Sequence, residues 1–360
     1  MCPTDAITVK EEDLFYCPVV DRSKCLNCGR CQAVCPVAAP QLAQKVVRAY
    51  AAIHNDGAIV KSSSSGGVFR ALADRTLAQG GVVYGAAYTD AFRTVRICSS
   101  EQVCLEQLQK SKYTESLVGT SFREVKDQLE ASRWVLYCGA PCQIAGLKRY
   151  LGKEYDRLLT CDFSCGGMPS HKMYQQWLEG VEKKLNAPVA DVDFRPKTFG
   201  WNPHAVRVAG KNGRVYNRLA KEDAYFDCFI GTHASVRDYC LECEFANNHY
   251  ADIILADFWK HRSISRVDNG NRGISLLLTN SPKGERAIAE LSRVVALTVL
   301  DLEEASYNLT QKQVTPEFRE KRERFLADCN ANGFVQAAGP RKFNWKFRLK
   351  YKVKKLLGRD

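Results

Sequence analysis

The stretch from Trp134 to Leu147, WVLYCGAPCQIAGL, constrains the fold of this chain more than any other. Trp134, Val135, Leu136 and Tyr137 read as a short buried strand, and Gln143 to Leu151 reads as a helix that follows at once. The loop between them therefore sits at a strand's carboxyl end, which is where open α/β sheets bind ligands. It carries Gly139 and Pro141 between Cys138 and Cys142, at a position where a helix N-terminus favours a thiolate. Either the cysteine pair is incidental or this loop holds a redox centre.

The cysteine count bears on that choice. The chain has 360 residues, too many for one small core, and sixteen of them are cysteines. With no apolar h-region at the N-terminus, the expectation is a chain without a signal peptide, in a reducing, cytoplasmic setting. There, many cysteines point to metal clusters or redox chemistry rather than to disulfides. No apolar run reaches the roughly eighteen to twenty residues of a membrane span. The net charge of +12 is concentrated at one end: residues 341–360 hold nine Lys or Arg against one acid. That placement argues against nucleic acid as a partner. The tail, 336–360, alternates Phe343, Trp345, Phe347, Leu349, Tyr351 and Val353 with mostly basic residues, a pattern that suits an anionic membrane surface or an acidic partner protein. It equally suits a solvated tail or an edge strand.

Near the start, Cys25, Cys28, Cys31 and Cys35, followed by Pro36, have the C-x2-C-x2-C-x3-C-P spacing of bacterial ferredoxins. Three closely spaced thiolates wrap three irons of one 4Fe-4S cube, and Cys35, on the departing turn, points towards a second cluster. A zinc site more often shows two separated Cys pairs or His partners, and none of the six His lies in this segment. Cys2-Pro3-Thr4-Asp5 has the look of the end of a second such motif, so Cys2 is expected to close the cluster of Cys25, Cys28 and Cys31. The triplet that should precede Cys2 is missing. A truncated first motif and a single N-terminal cluster both remain open.

In the body, Ser62, Ser63, Ser64, Ser65, Gly66 and Gly67 lead into a predicted helix, with serine as its N-cap and Gly80-Gly81 as its stop. Such a loop can offer N–H groups and hydroxyls to a phosphate. Neither a G-x-G-x-x-G fingerprint nor a P-loop is present. Further helices and strands are predicted at about 122–132, 158–163 and 252–256. Cys165 follows the strand 158–163, and Cys240 and Cys243 precede the strand 252–256. If these strands are neighbours in one sheet, Cys142, Cys165, Cys240 and Cys243 form a four-thiolate site. It would stand beside a pocket lined by Phe258, Trp259 and the Ser/Gly loop. Cys17, Cys98, Cys104, Cys228 and Cys329 have no such context.

Together these pieces resemble the beta subunits of coenzyme F420 hydrogenases and dehydrogenases. The pieces are SSSSGGVF (62–69), GGVVYGAAY (80–88), SKY (111–113), CGAPCQIAGLKRYLG (138–152), CDFSCGGMPS (161–170), CLEC (240–243), ADFW (256–259) and RGISLLLTN (272–280). The resemblance implies an α/β (α+β) flavin-binding body with a small N-terminal ferredoxin-like iron-sulfur domain. Its expected boundaries are 1–45 for the ferredoxin-like domain, incomplete at its N-terminus, and 46–335 for the body, divided at about 58–132 and 133–310. It implies FAD held by Ser63, Ser64, Ser65, Gly66, Gly67, Lys112, Tyr113, Gly139, Pro141 and Asp257, and a 4Fe-4S cluster on Cys142, Cys165, Cys240 and Cys243. Three positions depart from the family pattern: Gly166 where a histidine is usual, Cys138 where a small polar residue is usual, and Ala256 where a glycine is usual.

The activity so implied is hydride exchange between FAD and a two-electron carrier, coenzyme F420, with single electrons relayed through the clusters to ferredoxin or another redox partner protein. Lys112, Tyr113 and Asp257 position or tune the flavin, and no side chain stands out as an acid or base. Three rivals remain at this level. One is a non-catalytic relay subunit; the second is a ferredoxin-dependent reductase of a small organic substrate; the third makes Cys138 and Cys142 a redox-active dithiol.

Overall fold

The computed structural model describes residues 2–38, 45–259, 267, 270–305, 314–342 and 344–356. Phe343 of the expected alternating tail lies outside them. Nine strands form one mixed sheet, in the order Val295–Leu300, Arg48–His54, Ser275–Thr279, Ile253–Asp257, Leu158–Phe163, Val135–Cys138, Val82–Thr89, Thr94–Ser99, Ser116–Leu117. The four strands at 82–89, 135–138, 158–163 and 253–257 are mutually parallel, so their carboxyl ends share one edge. The antiparallel strands at 48–54 and 275–279 extend that block on one side.

Period-two alternation divides the core into two layers. In the strand 135–138, Leu136 and Cys138 pack towards the helices Val68–Ala78 and Pro282–Glu290, while Val135 and Tyr137 pack towards Ser121–Glu130 and Pro141–Leu151. The helix Val68–Ala78 buries Val68, Ala71, Leu72 and Thr76, one stripe at helical spacing. Its N-cap is Gly67 in the left-handed region, with no side-chain cap, where the sequence reading expected serine. The helix after Cys138 begins at Pro141, two residues earlier than the sequence predicts, because proline suits a first-turn position whose N–H has no partner.

A second layer is built on the helix His171–Leu185. Met173, Tyr174, Trp177, Leu178, Val181 and Leu185 are buried against the three-stranded sheet Val189–Asp193, Ala205–Gly210, Val215–Leu219 and against Phe194, Tyr225 and Phe226.

The N-terminal segment is an antiparallel hairpin, Ile7–Glu12 with Phe15–Val20, followed by the cysteine loop and the short helix Arg30–Ala33. It is fastened to the body. Leu14 is buried in the core of the second layer, and the Tyr16 ring stacks on His171 at 3.5 Å. His171 Nε2 lies 2.7 Å from Glu11 and Nδ1 3.0 Å from Glu115, while Arg237 pairs with Glu115 and donates to the Tyr16 carbonyl.

The tail forms a helix, Trp345–Leu356, rather than an edge strand. An every-second-residue apolar pattern wound at 3.6 residues per turn splits into two faces. Phe347 and Tyr351 pack against Phe199, while Trp345, Leu349 and Val353 are exposed. Among the described residues, no helix is long and apolar enough to cross a membrane.

Candidate functional site

The shared carboxyl edge opens into a cavity of about 280 Å³. Its walls come from the Ser/Gly loop (Ser63, Ser64, Ser65, Gly67), the segment 108–116 with Lys112 and Tyr113, the strand ends Cys138–Gly139 and 162–169, Arg195, and Leu255 to Asp257. Eight of the ten expected cofactor-binding residues therefore converge on one space. Gly66 and Pro141 do not line it. Gly66 donates its N–H to Ser275 Oγ at 3.0 Å and packs directly on the backbone of Ala52, and Pro141 is buried as the first residue of its helix.

Nor do Phe258 and Trp259 reach it. Alternation beyond Asp257 sends Phe258 into the core with Ala49, Ala51 and Trp201, and Trp259 stacks on Trp201 at 4.5 Å.

The loop's hydroxyls are largely committed within the protein. Ser63 Oγ donates to the Ile59 carbonyl at 2.7 Å and Ser65 Oγ to the Ile274 carbonyl at 2.7 Å. Ser64 Oγ accepts from the Ser111 N–H at 2.9 Å, which joins this loop to the one carrying Lys112 and Tyr113. Tyr113 packs its ring among Phe194, Phe226 and Phe229, and its carbonyl accepts from the Tyr225 hydroxyl at 2.6 Å.

Three residues on or beside these walls, Gln109, Arg195 and Lys197, were not singled out from the sequence. Arg195 is 4% exposed and grips Asp257 with both terminal nitrogens, at 2.6 and 3.3 Å. Lys197 donates to the Ser65 carbonyl at 2.7 Å. Burial pulls the Lys112 ammonium down to about 7, and burial with the neighbouring Arg195 does the same to Lys197. Gln109 lines the cavity, and its Nε2 is buried without a hydrogen-bond partner. The RPK run at 195–197, just after a strand end, was the available signal for Arg195 and Lys197. The arrangement suits an elongated anionic ligand with hydrogen-bond acceptors.

Behind the cavity stand four thiols. Cys142, at the N-terminal turn of its helix, is pushed up to about 12 by burial and by Cys240 and Cys243. Burial and then Cys142, with Cys240 and Cys243, raise Cys165, which also lines the cavity. Cys240 Sγ accepts the Met168 N–H at 3.4 Å. These four side chains sense one another. Among the described residues, no three His, Cys, Asp or Glu side chains are close enough to share one metal ion. Ligands of a four-iron cube bind four different irons and stand farther apart than ligands of a single ion.

At the N-terminus, Cys25, Cys28 and Cys35 lie on loop segments around the short helix that carries Cys31, and all four are partly or fully exposed. Thr4 Oγ1 donates to the Lys24 carbonyl at 2.7 Å, which brings the turn holding Cys2 alongside Cys25. Hydrogen bonds from Thr4 and Ala6 lower the Cys2 thiol below its ordinary range. Arg149, on the helix of Cys142, donates to the Ala33 carbonyl at 2.8 Å, so the two cysteine groups border one contact. Cys17 faces Arg237, and Cys98, Cys228 and Cys329 are buried.

Residues 132–305 match the family described as the C-terminal part of the beta subunit of coenzyme F420 hydrogenase/dehydrogenase. Residues 18–41 match the 4Fe-4S binding domain. No curated protein sequence matches. Among solved structures, a chain of the F420-reducing [NiFe] hydrogenase complex from Methanosarcina barkeri is similar, with 17% sequence identity over 81% of this chain and 92% of that one, at a TM-score of 0.48.

Proposed function

Through residues 132–305 the chain belongs to the coenzyme F420 hydrogenase/dehydrogenase beta-subunit family, a family of oxidoreductase subunits, and from that premise we propose that it is an iron-sulfur flavoprotein exchanging hydride with a two-electron carrier, reduced coenzyme F420. Single electrons would then leave through 4Fe-4S clusters to a redox partner protein such as ferredoxin. The observation that carries this reading is that Cys165 belongs both to the wall of the cavity and to the group of four mutually sensing thiols.

FAD is the group proposed for the cavity. Lys112, Lys197 and the Ser/Gly loop would hold its diphosphate, Tyr113 and Gly139 would border its rings, and the unpartnered Gln109 amide would donate to one of its acceptors. Bound there, a flavin supplies the conversion between hydride and single electrons. Arg195 holds Asp257 in place. Cys142, Cys165, Cys240 and Cys243 offer the all-thiolate donor set of a 4Fe-4S cluster, whose irons would offset the burial and the like charges that now keep these thiols protonated. Cys2, Cys25, Cys28 and Cys31 would hold the N-terminal cluster, with Cys35 as a ligand of a second. The proposed domain boundaries follow the same division, at 45 and 335.

The proposed setting is the cytoplasm. The tail helix, with exposed Trp345, Leu349 and Val353 beside lysines and arginines, would rest on the inner membrane face or on an acidic partner.

An anaerobic visible spectrum with iron and flavin content, repeated after adding reduced coenzyme F420, tests the proposal. Bleaching of flavin and cluster bands together is expected. Protein purified with iron but no flavin, and unable to bind added FAD, would leave only an electron relay. Bleaching by reduced ferredoxin but not by reduced F420 would reverse the direction and remove F420.

A further inference from the structure

The departure at Cys138 acquires a partner in the fold, and it is not Cys142. Cys138 and Cys161 are directly paired residues of neighbouring parallel strands, so their side chains leave the sheet on the same face. Both pack with the core layer under the helix 68–78, whereas Cys142 packs on the opposite layer with Cys243. Adjacent strands lie about 4.7–4.9 Å apart, within the roughly 4.4–6.8 Å between Cα atoms that a disulfide bridges. Cys138 beside it and burial together hold the Cys161 thiol protonated, and Cys161 Sγ donates to the Asp162 carbonyl at 3.7 Å.

Access is unequal. Cys138 lines the cavity and is half-buried, facing the Lys112 amine, while Cys161 has no exposed surface. A reagent can reach only the first sulfur. This is the layout of an attacking and a resolving cysteine.

We propose that Cys138 and Cys161 form a redox-active dithiol on the cavity floor whose oxidising co-substrate is a small-molecule disulfide. In the first step the Cys138 thiolate attacks one sulfur of the small disulfide, whose S–S bond breaks and releases one thiolate. In the second, the Cys161 thiol gives up its proton to that thiolate and its sulfur displaces the other small thiol from Cys138. The net change is one protein disulfide and two small thiols, with two electrons passed from the cysteines to the small disulfide. The pair is a two-electron store separate from the iron sites, and it requires neither flavin nor F420.

The test is to treat the anaerobically purified full-length holoprotein with oxidised glutathione, quench in acid, alkylate, digest with trypsin and map the cysteines by mass spectrometry, with iron content followed in parallel. The peptides 134–148 and 158–172 each contain two cysteines, so fragmentation must assign the sulfurs. The expected result is loss of two alkylatable thiols per chain, a Cys138–Cys161 link, reversal by dithiothreitol, and unchanged iron. C161S is expected to stop at a glutathione adduct on Cys138, and C138S to leave Cys161 fully reduced. A link from Cys138 to Cys142 or Cys165, or full alkylation of Cys138 and Cys161 after treatment, overturns the proposal. The wild-type map decides this even where a variant does not fold.

Discussion

Arg195 holds Asp257 with both terminal nitrogens, at 2.6 and 3.3 Å, across 62 residues of sequence, and the guanidinium is almost wholly withdrawn from water. A buried pair of this kind is worth little against an apolar substitute, but removing one partner strands the other. D257A should therefore lower the free energy of unfolding by about 3–5 kcal/mol in a urea titration. The double variant R195L/D257L should recover much of that loss. A D257A protein as stable as the wild type would mean that Arg195 finds water or another acceptor.

The lysines beside the cavity make stability depend on pH in a particular direction. Lys112 sits near 7 in the folded chain and at an ordinary 10.5 when unfolded. Above about pH 7 the unfolded chain holds a proton that the folded one does not, so stability rises with pH. Lys197 acts the same way. Between pH 7 and about 8, below the ordinary thiol range, the urea midpoint of the unliganded protein should climb, and K112M should climb less. The affinity for FAD, an anion, should run oppositely and weaken as these amines lose charge, readable as a pH series of flavin fluorescence titrations.

Iron counts separate the two proposed cluster sites. C165S should lose about four irons per chain while the N-terminal site keeps its own. C28S should lose a similar number and leave the cavity's flavin binding intact. Loss of all iron in either variant would indicate that the two sites do not assemble independently.

At Gly66 a Cβ would stand 2.2 Å from the Ala52 carbonyl oxygen and 2.8 Å from the Ser275 nitrogen, both backbone atoms that cannot swing aside. G66A should cost at least about 1–3 kcal/mol in thermal or urea unfolding, and should weaken FAD binding by moving the Ser/Gly loop. G57A is the control, because a Cβ there meets nothing within 4 Å.

What the sequence made legible was chemistry confined to short stretches. The spacing of Cys25, Cys28, Cys31 and Cys35 must be local to wrap a cube, and the strand-loop-helix at 134–151 advertises itself through Gly139 and Pro141. The strand at 158–163 falls where its apolar run ends. Partnerships set by register or by long crossovers left no such trace. Cys138 meets Cys161 because two strands align, and Arg195 meets Asp257 because a separate layer closes over the sheet edge. The expectation for Phe258 failed on alternation alone: one residue past Asp257, the side chain belongs to the other face. The tail's pattern left helix and strand open because apolar residues at every second position satisfy a strand's pattern, while on a helix they make two stripes.

The anchoring of the N-terminal hairpin has a consequence for anyone who would treat residues 2–38 as an exchangeable cassette. Glu11 and Tyr16 share His171, Glu115 and Arg237 with the body, and Arg237 stands three residues before Cys240. A foreign ferredoxin segment grafted at this point, lacking those two side chains, would leave buried His171 without the Glu11 carboxylate and without the stacked Tyr16 ring. Compatibility between donor and recipient is thus decided in the hairpin, outside the cysteine loop that the graft is meant to deliver.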